Sequence, residues 1–297
     1  MAKKRVKQTS EPSRTRKALK NKSEASRKRR VSKRRPTKKK TKVTKLPSLV
    51  LYLLIALVCV FLIVIFYYVS IRPNSYRWRP CHGEKYYGVC LPTGFKVHGL
   101  DISHHQGKID WARLAIYRDS ERPLRFVFMK ATEGTDFKDV TFNANLSKAR
   151  ESGFICGAYH FFSPRSSAEK QAQFFIQTVA LEKGDLPPVL DVEVIGKHSK
   201  SSIKDSVKVW LNLVEKHYKI KPILYTSYKF KNKYLNDSVL NTYPFWIAHY
   251  YVPQVKYEGL WQFWQHTDVG EVPGIEKKVD MNVFNGTFDD LEAMTLR

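Results

Sequence analysis

Residues 186–194 read Leu-Pro-Pro-Val-Leu-Asp-Val-Glu-Val, an apolar and largely β-branched run with two carboxylates placed two positions apart. Residues 189–194 predict a strand buried on both faces, as in a parallel sheet. Side chains alternate along a strand, so Asp191 and Glu193 are expected on one face with Cα atoms roughly 6.6 Å apart. Burial and a like-charged neighbour raise a carboxyl pKa, which favours a general acid. The alternative is that one acid caps a helix or that both pair with Lys or Arg.

The sequence around this run alternates short apolar segments with longer amphipathic ones, which is typical of an α/β protein. Strands are predicted at residues 97–102, 125–131, 155–162, 188–194, 222–226, 245–249, 260–266 and 278–283. Helices are predicted at residues 140–152, 167–181, 203–218 and 289–296. We therefore expect a parallel, modified (β/α)₈ TIM-like barrel. Loops are expected to replace helices after the sixth and seventh strands, where the gaps are short.

Acidic and aromatic side chains gather at the predicted strand ends, where barrels of this kind carry their chemistry. The acids are Asp101, Asp191, Glu193 and Asp280, and aromatic residues come from at least four strands. Sugar rings stack on aromatic faces, while carboxylates act on the glycosidic oxygen and on the positive charge that develops at the sugar. The pattern therefore predicts a carbohydrate site.

Five segments in this part of the chain occur in a characteristic order. They are 99–111 (Gly-Leu-Asp-Ile-Ser-His-His-Gln-Gly-Lys-Ile-Asp-Trp), 130–134 (Lys-Ala-Thr-Glu-Gly), 157–161 (Gly-Ala-Tyr-His-Phe), 191–193 (Asp-Val-Glu) and 279–282 (Val-Asp-Met-Asn). Together they resemble glycoside hydrolase family 25, the lysozymes (N-acetylmuramidases). The resemblance runs from residue 98 to the C-terminus.

The resemblance implies cleavage of the β-1,4 bond between N-acetylmuramic acid and N-acetylglucosamine in peptidoglycan. Glu193 would protonate the leaving oxygen as general acid, and Asp191 would stabilise positive charge or a participating acetamido group. Asp101 and Asp280 would complete an acidic floor, although Asp101 could instead hydrogen-bond amides of the following turn. The candidate sugar contacts are Tyr159, Tyr225, Trp246, Tyr250 and Gln265. The stereochemical outcome is not predicted.

Some positions and some alternatives stay open. Two Trp-Gln pairs occur in residues 261–266, and the residues that follow favour the second pair, Trp264-Gln265. His266 occupies a position where the family pattern predicts an aromatic residue such as Tyr, which would alter a subsite. A non-catalytic cell-wall-binding barrel, or a hydrolase of another N-acetylhexosamine polymer such as chitin, would share most of these features.

The positive charge of the chain is concentrated at its N-terminus. The 297 residues carry a formal net charge of +25, and residues 1–46 alone hold 21 Lys or Arg against two Glu. Few apolar residues accompany them, which predicts a disordered basic tail. Such a tail alone could bind nucleic acid. The apolar segment that follows favours contact with anionic lipid headgroups instead, so no nucleic-acid partner is expected.

Residues 47–71 are uncharged and nearly continuously apolar, long enough for one transmembrane helix. The excess of Lys and Arg before them predicts a cytoplasmic N-terminus. We expect a single-pass protein of the cell (inner) membrane, with a juxtamembrane linker at 72–95 and an extracytoplasmic catalytic barrel, periplasmic or at the cell surface, at 96–297. A cleaved signal peptide is the disfavoured alternative, because the basic arm and the apolar run are both long.

The cysteines and histidines do not indicate a metal site. Cys81 and Cys90 lie close enough for a small disulfide loop, a pairing that the sequence leaves open. Cys156 is expected to be a buried free thiol. The histidines are dispersed over several strands, so neither a metal nor another cofactor is expected. The oligomeric state is not predicted.

Overall fold

The structure is a computed structural model that describes residues 47–71, 81, 83–257 and 259–297. Helix α1 (Ser48–Phe66) continues as a π-helical turn at Tyr67–Ile71, and none of these residues is buried. The helix is long and apolar enough to cross a membrane. The predicted disordered tail at 1–46, with its lipid contacts, lies outside the described residues, as do residues 72–80 of the linker.

A short hairpin precedes the barrel. Strands β1 (Lys85–Tyr86) and β2 (Val89–Cys90) pair antiparallel. Tyr87 and Gly88 at the turn have positive φ, as the tight hairpin turn requires of both central residues. A disulfide joins Cys81 to Cys90, which settles the pairing that the sequence left open. Side chains from this part of the predicted linker are buried in the core of the barrel, namely those of Tyr87, Val89 and Leu91.

The remaining strands form a closed barrel of eight, in which the first two in chain order also pair with each other. The barrel strands are β3 (Val97–Ile102), β4 (Leu124–Glu133), β6 (Ile155–Phe161), β7 (Val189–Asp191), β8 (Ile223–Ser227), β9 (Phe245–Ala248), β10 (Trp261–Gly270) and β11 (Val279–Phe284). A two-residue strand, β5 (Phe137–Lys138), pairs with the end of β4.

The prediction of a fully parallel barrel is wrong for the last strand. β11 runs antiparallel to both of its neighbours, β10 and β3, whereas the other barrel pairs are parallel. Only residues 271–278 connect β10 to β11. A parallel crossover needs a dozen residues or more, so this short connection forces the chain to turn back.

Helices pack outside the strands. They are α2 (Trp111–Ala115), α3 (Phe142–Glu151), α4 (Ala168–Thr178), α5 (Lys200–Tyr218), α6 (Tyr228–Tyr234) and α7 (Phe288–Ala293). Helices α3, α4, α5 and α7 confirm the four predicted ones, whereas the short α2 and α6 were not predicted. No helix follows β9 or β10 among the residues that the structure describes, which confirms the expected loops at those two places.

Large aromatic side chains fill the barrel interior, because neighbouring strands contribute glycine at the same level. Phe126 and Phe128 on β4 are fully buried and pack edge-to-face against each other. A Cβ atom added at Gly99 would lie 2.5 Å from the ring of Phe126, and one at Gly157 would lie 2.4 Å from the ring of Phe128. These two glycines therefore make room for the rings.

We expect Gly157→Ala to lower the free energy of unfolding by about 1–3 kcal/mol, the usual cost of overpacking a rigid core. Urea unfolding followed by tryptophan fluorescence measures the change. The double variant Gly157→Ala/Phe128→Leu should recover part of the loss, because the smaller side chain frees the space that the new methyl group needs. A single variant as stable as the wild type would contradict this packing argument.

Candidate active site

One pocket, with a volume of about 260 Å³, lies at the carboxyl ends of the parallel barrel strands, where the antiparallel β11 begins. It brings together every site residue that the sequence predicted: Asp101, Tyr159, Asp191, Glu193, Tyr225, Trp246, Tyr250, Gln265 and Asp280. Four further residues complete its lining: Ser103, His105, Lys130 and Phe161. Acids and aromatic rings from separate strands thus share one cavity.

Two of the acids face each other across neighbouring strands. Asp101 on β3 stands directly opposite Asp280 on β11. Burial raises the pKa of Asp101 to about 6, although hydrogen bonds from amide groups oppose the shift. Burial, and then the charge of Asp101, raise the pKa of Asp280 further above its usual range. The two carboxyls titrate as a pair, and Asp280 is the member that holds the proton.

Gln265 links Asp101 to two tyrosines. Its Nε2 atom donates to Asp101 Oδ2 at 2.8 Å, and its Oε1 atom accepts from the hydroxyls of Tyr225 at 2.7 Å and Tyr250 at 2.6 Å. Because both hydroxyls donate to Oε1, only one of the two flipped orientations of the Gln265 amide satisfies all three hydrogen bonds. In that orientation the NH₂ group points towards the Asp101 carboxylate. Three of the predicted side chains therefore act as one hydrogen-bonded unit with Asp101.

Asn282 completes the support of Asp101 from the other side. Its Nδ2 atom donates to Asp101 Oδ2 at 2.7 Å, while its Oδ1 atom accepts from Trp246 Nε1 at 2.7 Å. The Trp246 ring is 2% exposed and stacks on Phe128 at 4.4 Å between centroids. Trp246 thus belongs to the pocket floor, whereas Tyr159 and Tyr250 are partly exposed and can meet a ligand.

Strand β7 ends at Asp191, so the predicted strand extends too far at its C-terminal end. The chain beyond it is nevertheless held in place. The amide of Val192 donates to the carbonyl of Tyr225 at 3.0 Å, and the hydroxyl of Thr226 donates to the carbonyl of Val192 at 2.6 Å. These bonds to β8 keep Asp191 and Glu193 at the same pocket.

The two carboxyls of this segment differ in their surroundings. Asp191 is 7% exposed, and its Oδ1 atom has no hydrogen-bond partner among the described residues. Burial, followed by the charge of Glu193, raises the pKa of Asp191 well above its usual range. Glu193 is exposed to solvent over much of its surface. The surrounding protein nevertheless partly desolvates its carboxyl group, which raises the pKa of Glu193 as well. Neither acid caps a helix or forms an ion pair in the described part of the chain.

Lys130 is the lysine of the pocket lining. Its Nζ atom lies 2.6 Å from Glu133 Oε2 and between the rings of Phe137 and Phe161, at 5.5 Å and 5.0 Å from their centroids. Its charge opposes the upward pKa shifts of both acids at the end of β7. Lys130 and Asn282 were not among the predicted site residues, although both belong to segments that carry the family resemblance.

The histidines have separate roles. His105 lines the pocket, whereas His160 is buried and contacts Thr132 at 2.7 Å and Gln171 at 3.1 Å. His266 does not reach the pocket, because its neighbour Gln265 faces inward and side chains alternate along β10. The expectation that His266 alters a subsite therefore fails. Burial lowers its pKa to about 3.

Three comparisons with known proteins agree with this geometry. Residues 100–275 match the family model described as glycosyl hydrolases family 25. The chain is 44% identical over 221 residues to "Uncharacterized protein YegX" of Escherichia coli strain K12, covering 74% of this chain and 80% of that one. It is 34% identical over 218 residues to "Lysozyme M1" of Streptomyces globisporus, covering 67% and 71%. A family 25 glycosyl hydrolase from Bacillus anthracis superposes with a TM-score of 0.63 at 31% identity, covering 73% and 99%.

The burial of Asp191 makes the stability of the folded protein depend on pH. Because the folded protein binds a proton at this carboxyl more tightly than the unfolded chain does, stability falls as pH rises above the unfolded pKa of about 3.9. We expect Asp191→Asn to have a higher Tm than the wild type at pH 8, by roughly 2–4 °C for each kcal/mol regained. The gap should close towards pH 4.

Differential scanning fluorimetry at both pH values measures this difference, with Asp205→Asn, an exposed acid on α5, as the control. The control should change Tm little at either pH. A lower Tm for Asp191→Asn at pH 8 would show that the charged form is stabilised in the folded protein, contrary to the burial argument.

Proposed function

The chain belongs to the glycosyl hydrolases family 25, and we propose that it is a peptidoglycan hydrolase of the lysozyme type. It cleaves the β-1,4 bond between N-acetylmuramic acid and N-acetylglucosamine. The observation that carries the proposal is the convergence of four acids, from β3, β11 and the end of β7, with aromatic side chains in one pocket. Relatives named as lysozymes and muramidases support the same activity.

Glu193 is the general acid of the proposed reaction. A general acid must hold its proton near neutral pH and must reach the leaving group. The burial that raises the pKa of Glu193 favours the first requirement, and its position at the solvent side of the pocket supports the second. Its proton passes to the glycosidic oxygen as the bond from that oxygen to the anomeric carbon breaks, and the leaving sugar departs as an alcohol.

Asp191 stabilises the positive charge that this cleavage leaves on the sugar, or orients an acetamido group that participates. Its buried carboxyl has no competing partner on Oδ1 in the described part of the chain, so it is free to accept a bond from substrate. The pair of Asp101 and Asp280 forms the acidic floor. Water completes the reaction by adding hydroxyl to the anomeric carbon, and a proton returns to Glu193.

The sugar contacts are proposed to divide by exposure. Tyr159 and Tyr250 are partly exposed and offer rings to a sugar face. Tyr225 and Gln265 are buried and set the position of Tyr250 and Asp101 through their hydrogen bonds. This division explains why one pocket can use both rigid polar groups and flat apolar surfaces for a glycan.

We also propose that the helix from Ser48 to Ile71 anchors the enzyme in the cell (inner) membrane. Its length, its uncharged sequence and the basic residues before it support a single pass with the N-terminus in the cytoplasm. The catalytic barrel then works outside the cytoplasm. The disulfide between Cys81 and Cys90 agrees with an oxidising compartment.

We expect Glu193→Gln to reduce the release of reducing ends from purified peptidoglycan by roughly 10²–10⁴-fold, the contribution of a positioned general acid. Circular dichroism should show an unchanged fold. Glu292→Gln, which alters an exposed acid on α7, should retain wild-type activity. Undiminished activity of Glu193→Gln would remove this residue from the mechanism.

The same assay separates the alternative functions. Mass spectrometry of the products should find N-acetylmuramic acid at the new reducing ends, and chitin should release little. A wild-type protein that binds peptidoglycan without cleaving it would instead be a cell-wall-binding barrel. Faster hydrolysis of chitin than of peptidoglycan would assign the other polymer.

The proposed anchor predicts that the full-length chain stays in the membrane fraction after washing with alkaline carbonate, because a transmembrane helix is not released by charge or pH. Mass spectrometry of the extracted protein should find the unprocessed N-terminal arm. Recovery of a shortened, carbonate-soluble protein would identify residues 47–71 as a cleaved signal peptide.

A further inference from the structure

The proposed function poses an electrostatic problem at the mouth of the pocket. The peptide stems of peptidoglycan carry carboxylates, so the glycan approaches as a polyanion. The one lysine that lines the pocket, Lys130, is paired with Glu133 and supplies no free cation at the mouth. Cations within about a Debye length of the mouth would speed the capture of a substrate of this charge.

Beyond the N-terminal tail, one flank of the barrel carries an excess of positive charge. Residues 47–297 hold 31 Lys or Arg against 25 Asp or Glu, a net charge of +6. Residues 196–237, which span α5, β8 and α6, contain ten Lys and three acids, a net charge of +7. The rest of this part of the chain sums to −1, in which a net charge of +4 at residues 72–96 is offset by acids elsewhere, so residues 196–237 hold a local excess of positive charge on one flank of the barrel.

The carboxyl ends of three adjacent strands place part of this charge beside the pocket. Strands β7, β8 and β9 are neighbours in the barrel. The segments that follow them, 192–200, 228–234 and 249–260, contain six lysines against two acids, Glu193 of the pocket and Glu258. Four exposed lysines of these segments form what we call the lysine rim: Lys197, Lys200, Lys229 and Lys256.

The rim lysines are close in sequence to residues that line the pocket. Lys197 follows Glu193 by four residues, and Lys229 follows the end of β8, the strand that carries Tyr225. The hydroxyl of Tyr228 donates to the backbone carbonyl of Lys256 at 3.0 Å, which joins the segment after β9 to the start of α6. Three strand ends therefore present their cations on one sector of the mouth.

The rim charges are not used inside the protein. None of the four lysines forms an ion pair with a residue that the structure describes. By contrast, Lys204 and Lys208, further along α5, form ion pairs with Asp237. Lys200 is the first residue of α5 and Lys229 the second of α6. Cations at a helix N-terminus oppose the helix dipole, so these lysines cost the fold some stability. Their positions are better explained by an external anion.

We infer that the lysine rim is an interaction surface for the carboxylate-bearing peptide stems of peptidoglycan. The inference rests on the proposed function and names the part of the substrate that binds outside the pocket. The stems contact the sector formed by the ends of β7, β8 and β9 while the sugars occupy the acidic pocket. The rim therefore governs capture of polymeric substrate and not the bond-breaking step.

The test compares two charge-matched variants of the full-length protein in a neutral detergent. The rim variant carries Lys197→Gln, Lys200→Gln, Lys229→Gln and Lys256→Gln. The control variant carries Lys148→Gln, Lys183→Gln, Lys216→Gln and Lys219→Gln, which are exposed lysines at the opposite end of the barrel. Both lose four charges, both keep the N-terminal arm, and circular dichroism checks that both fold.

Each protein is assayed on peptidoglycan freed of phosphate-bearing polymers, and on the same material after its stem carboxylates have been converted to amides. On the untreated substrate at low salt we expect the rim variant to lose about tenfold in kcat/KM, at the low end of electrostatic steering effects, through a higher KM. The control variant should stay within about twofold. Added salt should shrink the difference. On the amidated substrate the rim variant should match the wild type.

Three results would overturn the inference. One is an equal loss in both variants, which would reflect net charge alone. Another is a rim defect that persists on the amidated substrate or that appears only when phosphate-bearing polymers are restored. The third is a fall in kcat with KM unchanged. A wild-type protein inactive on both substrates would refute the proposed function itself, a result distinct from these three.

Discussion

The hydrogen bonds that hold the Asp101 carboxylate constrain the rest of the pocket. Its two amide donors, Gln265 and Asn282, come from the next two strands of the barrel and are themselves paired across β10 and β11. The antiparallel course of β11 brings Asp280 opposite Asp101 in the same register. The site therefore depends on three strands that keep a fixed register, because a slip of one residue would turn every one of these side chains away.

Much of the fold and of the pocket could be predicted, because the deciding signals are local. Apolar runs of strand length, separated by amphipathic segments, located all eight barrel strands within a few residues. The period-2 rule placed Asp191 and Glu193 on one face, and the structure brings both to one pocket. The rule that chemistry gathers at the carboxyl ends of strands then selected the candidate sugar contacts, including Tyr159 and Gln265.

Features that depend on tertiary context could not be predicted in this way. An apolar run has the same pattern in a parallel and an antiparallel strand, so the direction of β11 is settled by the length of its connection and by closure of the barrel. Lys130 could be placed at a strand end from the sequence, but its position near two aromatic rings in the pocket lining follows only from the folded backbone. The turn residues Tyr87 and Gly88 were similarly hidden in a segment without periodicity.

The hairpin at residues 85–90 compensates for a helix that the barrel lacks. Because β11 follows β10 through a short loop, no crossover helix covers the outer side of these strands in the described chain. The hairpin supplies Tyr87 and Val89 to the core that contains Met281 of β11, and the amide of Glu271 donates to the carbonyl of Tyr87 at 2.8 Å. The disulfide at its base limits the freedom of these residues in the unfolded chain. The segment between the apolar helix and the barrel is thus also part of the barrel's packing.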